Sequence, residues 1–103
     1  MKLEDYQNLI KELSSKRGFD KDTAEDRMLI LTEEVGELAK AIRQQRSRLK
    51  NGDHSKKHEI ESEMTDVFWV LLALANLYDI NLAEAFEAKE KVNRQRFNED
   101  YED

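Results

Sequence analysis

LILTEEVGELAKAIRQQRSRLKNGDHSKKHEIESEMTD, residues 29–66, carries two short acidic signatures, Glu33-Glu34-Val35-Gly36-Glu37 and Glu63-Met64-Thr65-Asp66. Both lie in segments of helical periodicity, and each sets one carboxylate three residues after another. Side chains three or four apart share a helix face, one turn above each other. Glu34 with Glu37, and Glu63 with Asp66, are therefore two pairs of adjacent oxygen donors. If two helices bring those faces together, four carboxylates converge. Like charges share so small a site only by taking up protons or by surrounding a cation. The stretch predicts two packed helices with a candidate divalent-metal site between them.

The chain on either side also reads as helix. Residues 2–16 place Leu3, Tyr6, Leu9, Ile10 and Leu13 at roughly helical spacing, and Ser14, Ser15 and Gly18 end the run. Residues 17–22 form a short connection in which Phe19 is expected to anchor packing. A second helix starts at Asp22-Thr23, where Asp26 follows Thr23 by three as in a capping box, and runs to about Ser47. Its residues Met28, Leu31, Val35, Leu38 and Ile42 repeat as a seam for another helix, with Glu34 and Glu37 at the edge of that stripe. Gly36 in mid-helix either admits a close neighbour or is simply tolerated.

Periodicity fails over residues 46–57, RSRLKNGDHSKK, which contains the turn signal Asn51-Gly52. Arg46, Arg48, Lys50, Lys56 and Lys57 make this loop basic, as either a solvated connection or a flap that draws in an anionic substrate. A third helix spans about His58 to Tyr78. Its second half, VFWVLLALANL, is apolar on every side except at Asn76, which predicts burial on all sides and sharing with a second subunit. Phe68 and Trp69 are expected to pack there. Asp79–Asn81 makes a tight turn, and Asn81 with Glu84 reads as a second capping box. The fourth helix continues to about Phe97 with Leu82, Ala85, Phe86 and Val92 as its packing side, and NEDYED follows as a solvated end.

The 103 residues amount to one domain, residues 1–103, small enough to need a second copy to finish its core. With no Pro, three Gly and 39% charged residues, the class is all-α. A net charge of −6 argues against nucleic acid as a partner. The absence of Cys rules out disulfides and thiolate metal sites and fits a reducing cytoplasm. MKLEDYQNLI lacks the pattern of a secretion signal, and the apolar run from Val67 to Ala75 is too short to span a bilayer. The expectation is a soluble cytoplasmic protein with no membrane partner.

An all-oxygen donor set suits a hard ion that keeps some of its water, so Mg²⁺ fits best and Mn²⁺ can substitute. His54 and His58, the two histidines, sit in or beside the polar loop and read as solvated. Each acidic cluster alone also reads as a solvated face; their joint placement beside apolar seams leaves a metal site and a solvated surface evenly matched. Mg²⁺ sites commonly work with substrate phosphates. Lys89, Asn93 and Arg96 fall at i, i+4 and i+7 on one face of the fourth helix, either a phosphate-gripping face or a solvated one.

Glu33-Glu34-x-x-Glu37, a variable loop, then Glu63-x-x-Asp66 opening a long apolar helix resembles the MazG-like nucleoside triphosphate pyrophosphohydrolases. These belong to an all-α superfamily whose cousins are the dimeric dUTPases and the phosphoribosyl-ATP pyrophosphatases. The likeness extends from about residue 25 to residue 97, through Asp-Ile-Asn-Leu-x-x-Ala and the ending Lys89…Asn93-x-x-Arg96-Phe97. It implies a four-helix unit whose bundle is completed by assembly into a homodimer or homotetramer. It implies Mg²⁺ ligands at Glu34, Glu37, Glu63 and Asp66, with Glu33 holding a second ion or orienting the attacking water. Lys89, Asn93 and Arg96 match positions that contact phosphates, across a subunit boundary in some arrangements. Asn76 stands either as a sugar or base contact or as a satisfied core residue. The implied reaction converts a nucleoside triphosphate to the monophosphate and pyrophosphate, in nucleotide-pool house-cleaning. A dUTPase-like or phosphoribosyl-ATP activity, or a non-catalytic nucleotide-binding or dimerisation module, are the alternatives; no residue set singles out a base, and Tyr6 and Phe19 are the aromatic candidates to stack one.

Overall fold

The computed structural model describes residues 1–50, 52 and 57–98, the side chains of residues 47–50 excepted. Most of the expected basic loop, including Arg48, Lys50 and His54, and the end beyond Asn98 lie outside the described side chains. Four helices form: α1 Leu3–Lys16, α2 Ala24–Lys50, α3 Lys57–Leu77 and α4 Leu82–Arg96. The all-α reading holds. α2 runs three residues past its expected end at Ser47, while α3 and α4 fall within a residue or so of their expected limits.

Local chemistry explains each boundary. The Thr23–Asp26 box closes both ways, Thr23 N–H to Asp26 Oδ2 at 2.9 Å and Asp26 N–H to Thr23 Oγ1 at 3.1 Å. Asn81 supplies half of the second box, its Oδ1 accepting the Glu84 N–H at 3.1 Å. α1 ends where Gly18 takes φ +79 and the Phe19 N–H returns to the Ser14 carbonyl at 2.8 Å. That left-handed residue lets the chain double back and satisfies a terminal carbonyl. α3 ends the same way with Asp79 at φ 55 and Ile80 N–H on the Ala75 carbonyl at 3.0 Å. A Cβ on Gly36 would meet nothing within 4 Å, so this glycine is tolerated within the chain and serves no close approach there.

α2 and α3 pack as an antiparallel pair: Arg27 reaches Ala73 at one end, and Ala41 and Gln44 share a recess with His58 at the other. α1 crosses α3, and Ile10, Leu72 and Ala73 form the core with Leu3, Trp69 and Leu82 packed on it. The buried line of α2 differs from the expected stripe. It runs through Arg27, Leu31, Glu34, Leu38, Ala41 and Gln45, while Met28, Val35 and Ile42 stay about half exposed. Glu34 thus lies in the seam itself and not at its edge. α1 behaves alike: Gln7, Ile10 and Ser14 are buried, and Tyr6 and Leu9 are not.

α3 is also less enclosed than its composition suggests. Leu72, Ala73 and Ala75 are buried, but Phe68 and Leu71 remain open. The reason is the α3–α4 turn, which bends the chain by 94° and carries α4 away from the free side of α3. No residue of α4 is buried; of its expected packing side only Leu82 touches the core, and Phe86 is 69% exposed. The Cα radius of gyration, 16.9 Å, exceeds the ~13 Å of a compact domain of this length. Among the described residues, no single helix is long and apolar enough to cross a membrane.

Candidate metal centre

Glu34 on α2 and Glu63 and Asp66 on α3 each offer a carboxylate oxygen within 4.8 Å of the other two. The three-residue spacing stacks Glu63 over Asp66 on one face of α3, and the antiparallel crossing presents Glu34 to that face. Glu34 and Glu63 are half-buried and Asp66 is exposed, so the group has a protected floor and an open mouth. The Glu34 carboxyl is held above its ordinary pKa, first by loss of water on burial, then by the charges of Asp66, Glu63, Glu37 and Glu33. Glu63 Oε2 is buried without a hydrogen-bond partner. An anionic oxygen left so is costly unless something neutralises it. All-oxygen donors, mutual repulsion and an orphaned oxygen together fit a hard divalent cation.

Glu37 stands outside this group of three. It borders a neighbouring recess with Lys40, His58, Glu59 and Glu63, so Glu63 belongs both to the group of three and to that recess. Glu33 is exposed on α2 and acts on Glu34 only through its charge.

Glu34 and Asp66 of this acidic group open into a cleft of about 300 Å³ that Arg17, Phe19, Arg27 and Trp69 also line. Trp69 follows Asp66 by three on α3, so the ring rises from the same face as the carboxylates. Phe19 meets it edge-on, with ring centroids 6.4 Å apart and an interplanar angle of 85°. The Arg17 guanidinium lies 5.9 Å from the Trp69 ring centroid, within cation–π range. Phe19 and Trp69 do pack, as expected, but as the wall of a cleft beside three acids. Arg17 and Arg27 were not singled out in the sequence. A cationic residue within the buried α2 line, seven residues before Glu34, was the available signal for Arg27.

The C-terminal cationic set sits elsewhere. None of Lys89, Asn93 and Arg96 lines this cleft. Lys89 borders an apolar recess with Phe68, Leu71 and Phe86, Asn93 is half-buried, and Arg96 lies 5.8 Å over the Phe97 ring. Within one chain the carboxylates and this set are not brought together. Asn76 is occupied at both ends of its amide: Oδ1 accepts from Gln7 Nε2 at 3.1 Å, and Nδ2 donates to the Gln7 carbonyl at 2.9 Å. Gln7 continues to the Ile80 carbonyl and the Leu82 N–H, tying α1 to the α3–α4 turn.

A family model for the MazG nucleotide pyrophosphohydrolase domain matches residues 22–97. The uncharacterized protein YvdC of Bacillus subtilis (strain 168) is 33% identical over 103 residues, covering 94% of this chain and 97% of that protein. The uncharacterized protein YpjD of the same organism is 38% identical over 60 residues, or 58% of this chain and 54% of YpjD. The chain belongs to the MazG nucleotide pyrophosphohydrolase domain family.

Proposed function

We propose that this MazG-family chain hydrolyses (deoxy)nucleoside triphosphates to the monophosphate and pyrophosphate, as a cytoplasmic house-cleaning enzyme. The observation that carries the reading is the convergence of Glu34, Glu63 and Asp66, two of which, Glu34 and Asp66, line a cleft shared with Arg17, Phe19 and Trp69. Such a cleft suits a ligand with a polyanionic end and a planar end. Glu34, Glu63 and Asp66, with Glu37 alongside, hold Mg²⁺, for which Mn²⁺ can substitute. When bound, the ion neutralises phosphate charge and lowers the pKa of the attacking water. Glu33 orients that water, and Phe19 and Trp69 receive the base.

Lys89, Asn93 and Arg96 then grip phosphates from a second copy of the chain. Support comes from the apolar residues that one chain leaves open: Met28, Val35 and Ile42 on α2, Phe68 and Leu71 on α3, Phe86 and Val92 on α4. Phe68, Leu71 and Phe86 line one apolar recess, and exposed apolar surface of this kind marks an interface. A homodimer or homotetramer is the expected form.

The test is pyrophosphate release from a panel of canonical and modified nucleotides, with Mg²⁺ or with chelator. Metal-dependent release that Asp66→Asn or Glu37→Gln abolishes, in proteins that remain folded, is the expected result. Activity retained in Asp66→Asn removes the metal assignment. No release from the triphosphates in a folded, Mg²⁺-binding protein moves the reading to phosphoribosyl-ATP or to nucleotide binding without turnover.

A further inference from the structure

Arg27 is the one charged residue among the buried polar side chains of the described residues, at 6% exposure. Among the described ion pairs none involves it. Its guanidinium instead donates to two main-chain carbonyls: NH2 to Phe19 at 2.8 Å, and NH1 to Ala73. Burying a cation with only carbonyl partners is an expensive way to hold a fold together, since an apolar side chain of similar size avoids the desolvation. What the guanidinium achieves is geometric. A planar fork with fixed donors can hold two acceptors at once, one on the α1–α2 connection and one on α3. The Phe19 carbonyl has one further donor, the Asp22 N–H at 3.1 Å, which lies in the same connection and gives no purchase on α3. The Phe19 ring is itself 43% exposed. The Phe19 N–H also sits on the Ser14 carbonyl at 2.8 Å, a bond to α1, so of the hydrogen bonds on the Phe19 backbone only the one from Arg27 comes from a side chain that also grips α3.

We infer that Arg27 is a positioning residue for the nucleotide: it fixes the Phe19 wall against Trp69, at a set distance from Glu34, Glu63 and Asp66. It touches neither the metal nor the phosphates; it acts through Phe19. The inference rests on the nucleotide reading of the cleft. Loosening the wall removes contact that substrate and transition state share, which raises KM and leaves kcat nearly alone.

Trp69 is the single tryptophan of the chain, so its fluorescence reports this corner without any turnover. The experiment titrates α,β-imido triphosphate analogues into the Mg²⁺-loaded full chain, following Trp69, and sets the result beside steady-state hydrolysis. Arg27→Lys keeps the charge and loses the fork. It is expected to weaken analogue affinity and raise KM about tenfold, with kcat within about threefold, because a displaced contact costs binding more than chemistry. Mg²⁺ affinity by calorimetry should match the wild type. Phe19→Ala, at a half-exposed position, should reproduce the KM effect with little loss of melting temperature, and it decides the matter if Arg27→Lys does not fold. Unchanged analogue affinity and KM in a folded Arg27→Lys or in Phe19→Ala, or a fall in kcat at constant KM, overturns the inference while the activity stands. A wild type that neither releases pyrophosphate nor changes Trp69 emission overturns the nucleotide reading and this inference with it.

Discussion

Removing one of the three converging charges should make the metal-free protein more stable and the metal-saturated protein less so. Glu34→Gln keeps the shape of the side chain and deletes its charge. Two unit charges 4.8 Å apart repel by about 0.9 kcal/mol in water and about 3.5 kcal/mol at an effective dielectric near 20. Asp66 is exposed and Glu34 only half-buried, so with salt screening the lower part of that range applies. Deleting Glu34 ends its repulsion with both Glu63 and Asp66, a gain of about 2 kcal/mol in chelator at low ionic strength. For a domain of this size each kcal/mol moves the midpoint by about 4–8 °C, so the variant should melt about 8–16 °C above wild type in chelator at low ionic strength.

Mg²⁺ reverses the order. An ion at a hundred times its Kd stabilises the wild type by about 2.7 kcal/mol, and a variant short of one ligand gains far less. Thermal melts by circular dichroism with chelator and with excess Mg²⁺ read both halves. The pH course is a second check. A raised pKa in the folded state means that stability present below the unfolded value is lost as pH rises through the folded one. The gap between variant and wild type should therefore close in acid, below the unfolded glutamate value of about 4.3, and open toward neutrality. A variant no more stable than wild type in chelator, or one equally stabilised by Mg²⁺, refutes the reasoning.

Two further outcomes are expected. Thr23→Ala breaks the box at the start of α2 and should cost about 1 kcal/mol by urea titration. The Thr23 backbone and side-chain hydrogen bonds hold the Asp26 pKa below its ordinary value, which adds stability above the unfolded pKa that fades as pH falls through the folded one. Thr23→Ala keeps the backbone donor, the larger cause, and loses only the side-chain one, so acid sensitivity in that window should soften only in part. Phe86→Ser, at a side chain 69% exposed in one chain, should leave the helix content unchanged and lower the mass measured by sedimentation. A mass that stays the same removes Phe86 from the interface.

Relations along one helix were legible in the sequence because they follow from a fixed period and from short-range hydrogen bonds. That covers the four helices, the Thr23–Asp26 box, the Asn81 cap, and the stacking of Glu63 over Asp66. The acidic spacing, together with the absence of Cys, also pointed to an oxygen-ligand site. Relations between helices were not legible in the same way. Counting apolar residues placed the α2 seam on Met28, Leu31, Val35, Leu38 and Ile42; Leu31 and Leu38 do lie on the packed line, but Met28, Val35 and Ile42 give way to Arg27, Glu34, Ala41 and Gln45. A polar side chain can enter a seam where a partner on another element satisfies it, as two carbonyls satisfy Arg27 and the Asn76 amide satisfies Gln7. No local pattern records those partners. The tertiary structure alone decided that Glu34 joins Glu63 and Asp66 while Glu37 faces the next recess, and that Phe19 and Trp69 wall the same cleft. Periodicity says which residues share a face; only packing says which faces meet.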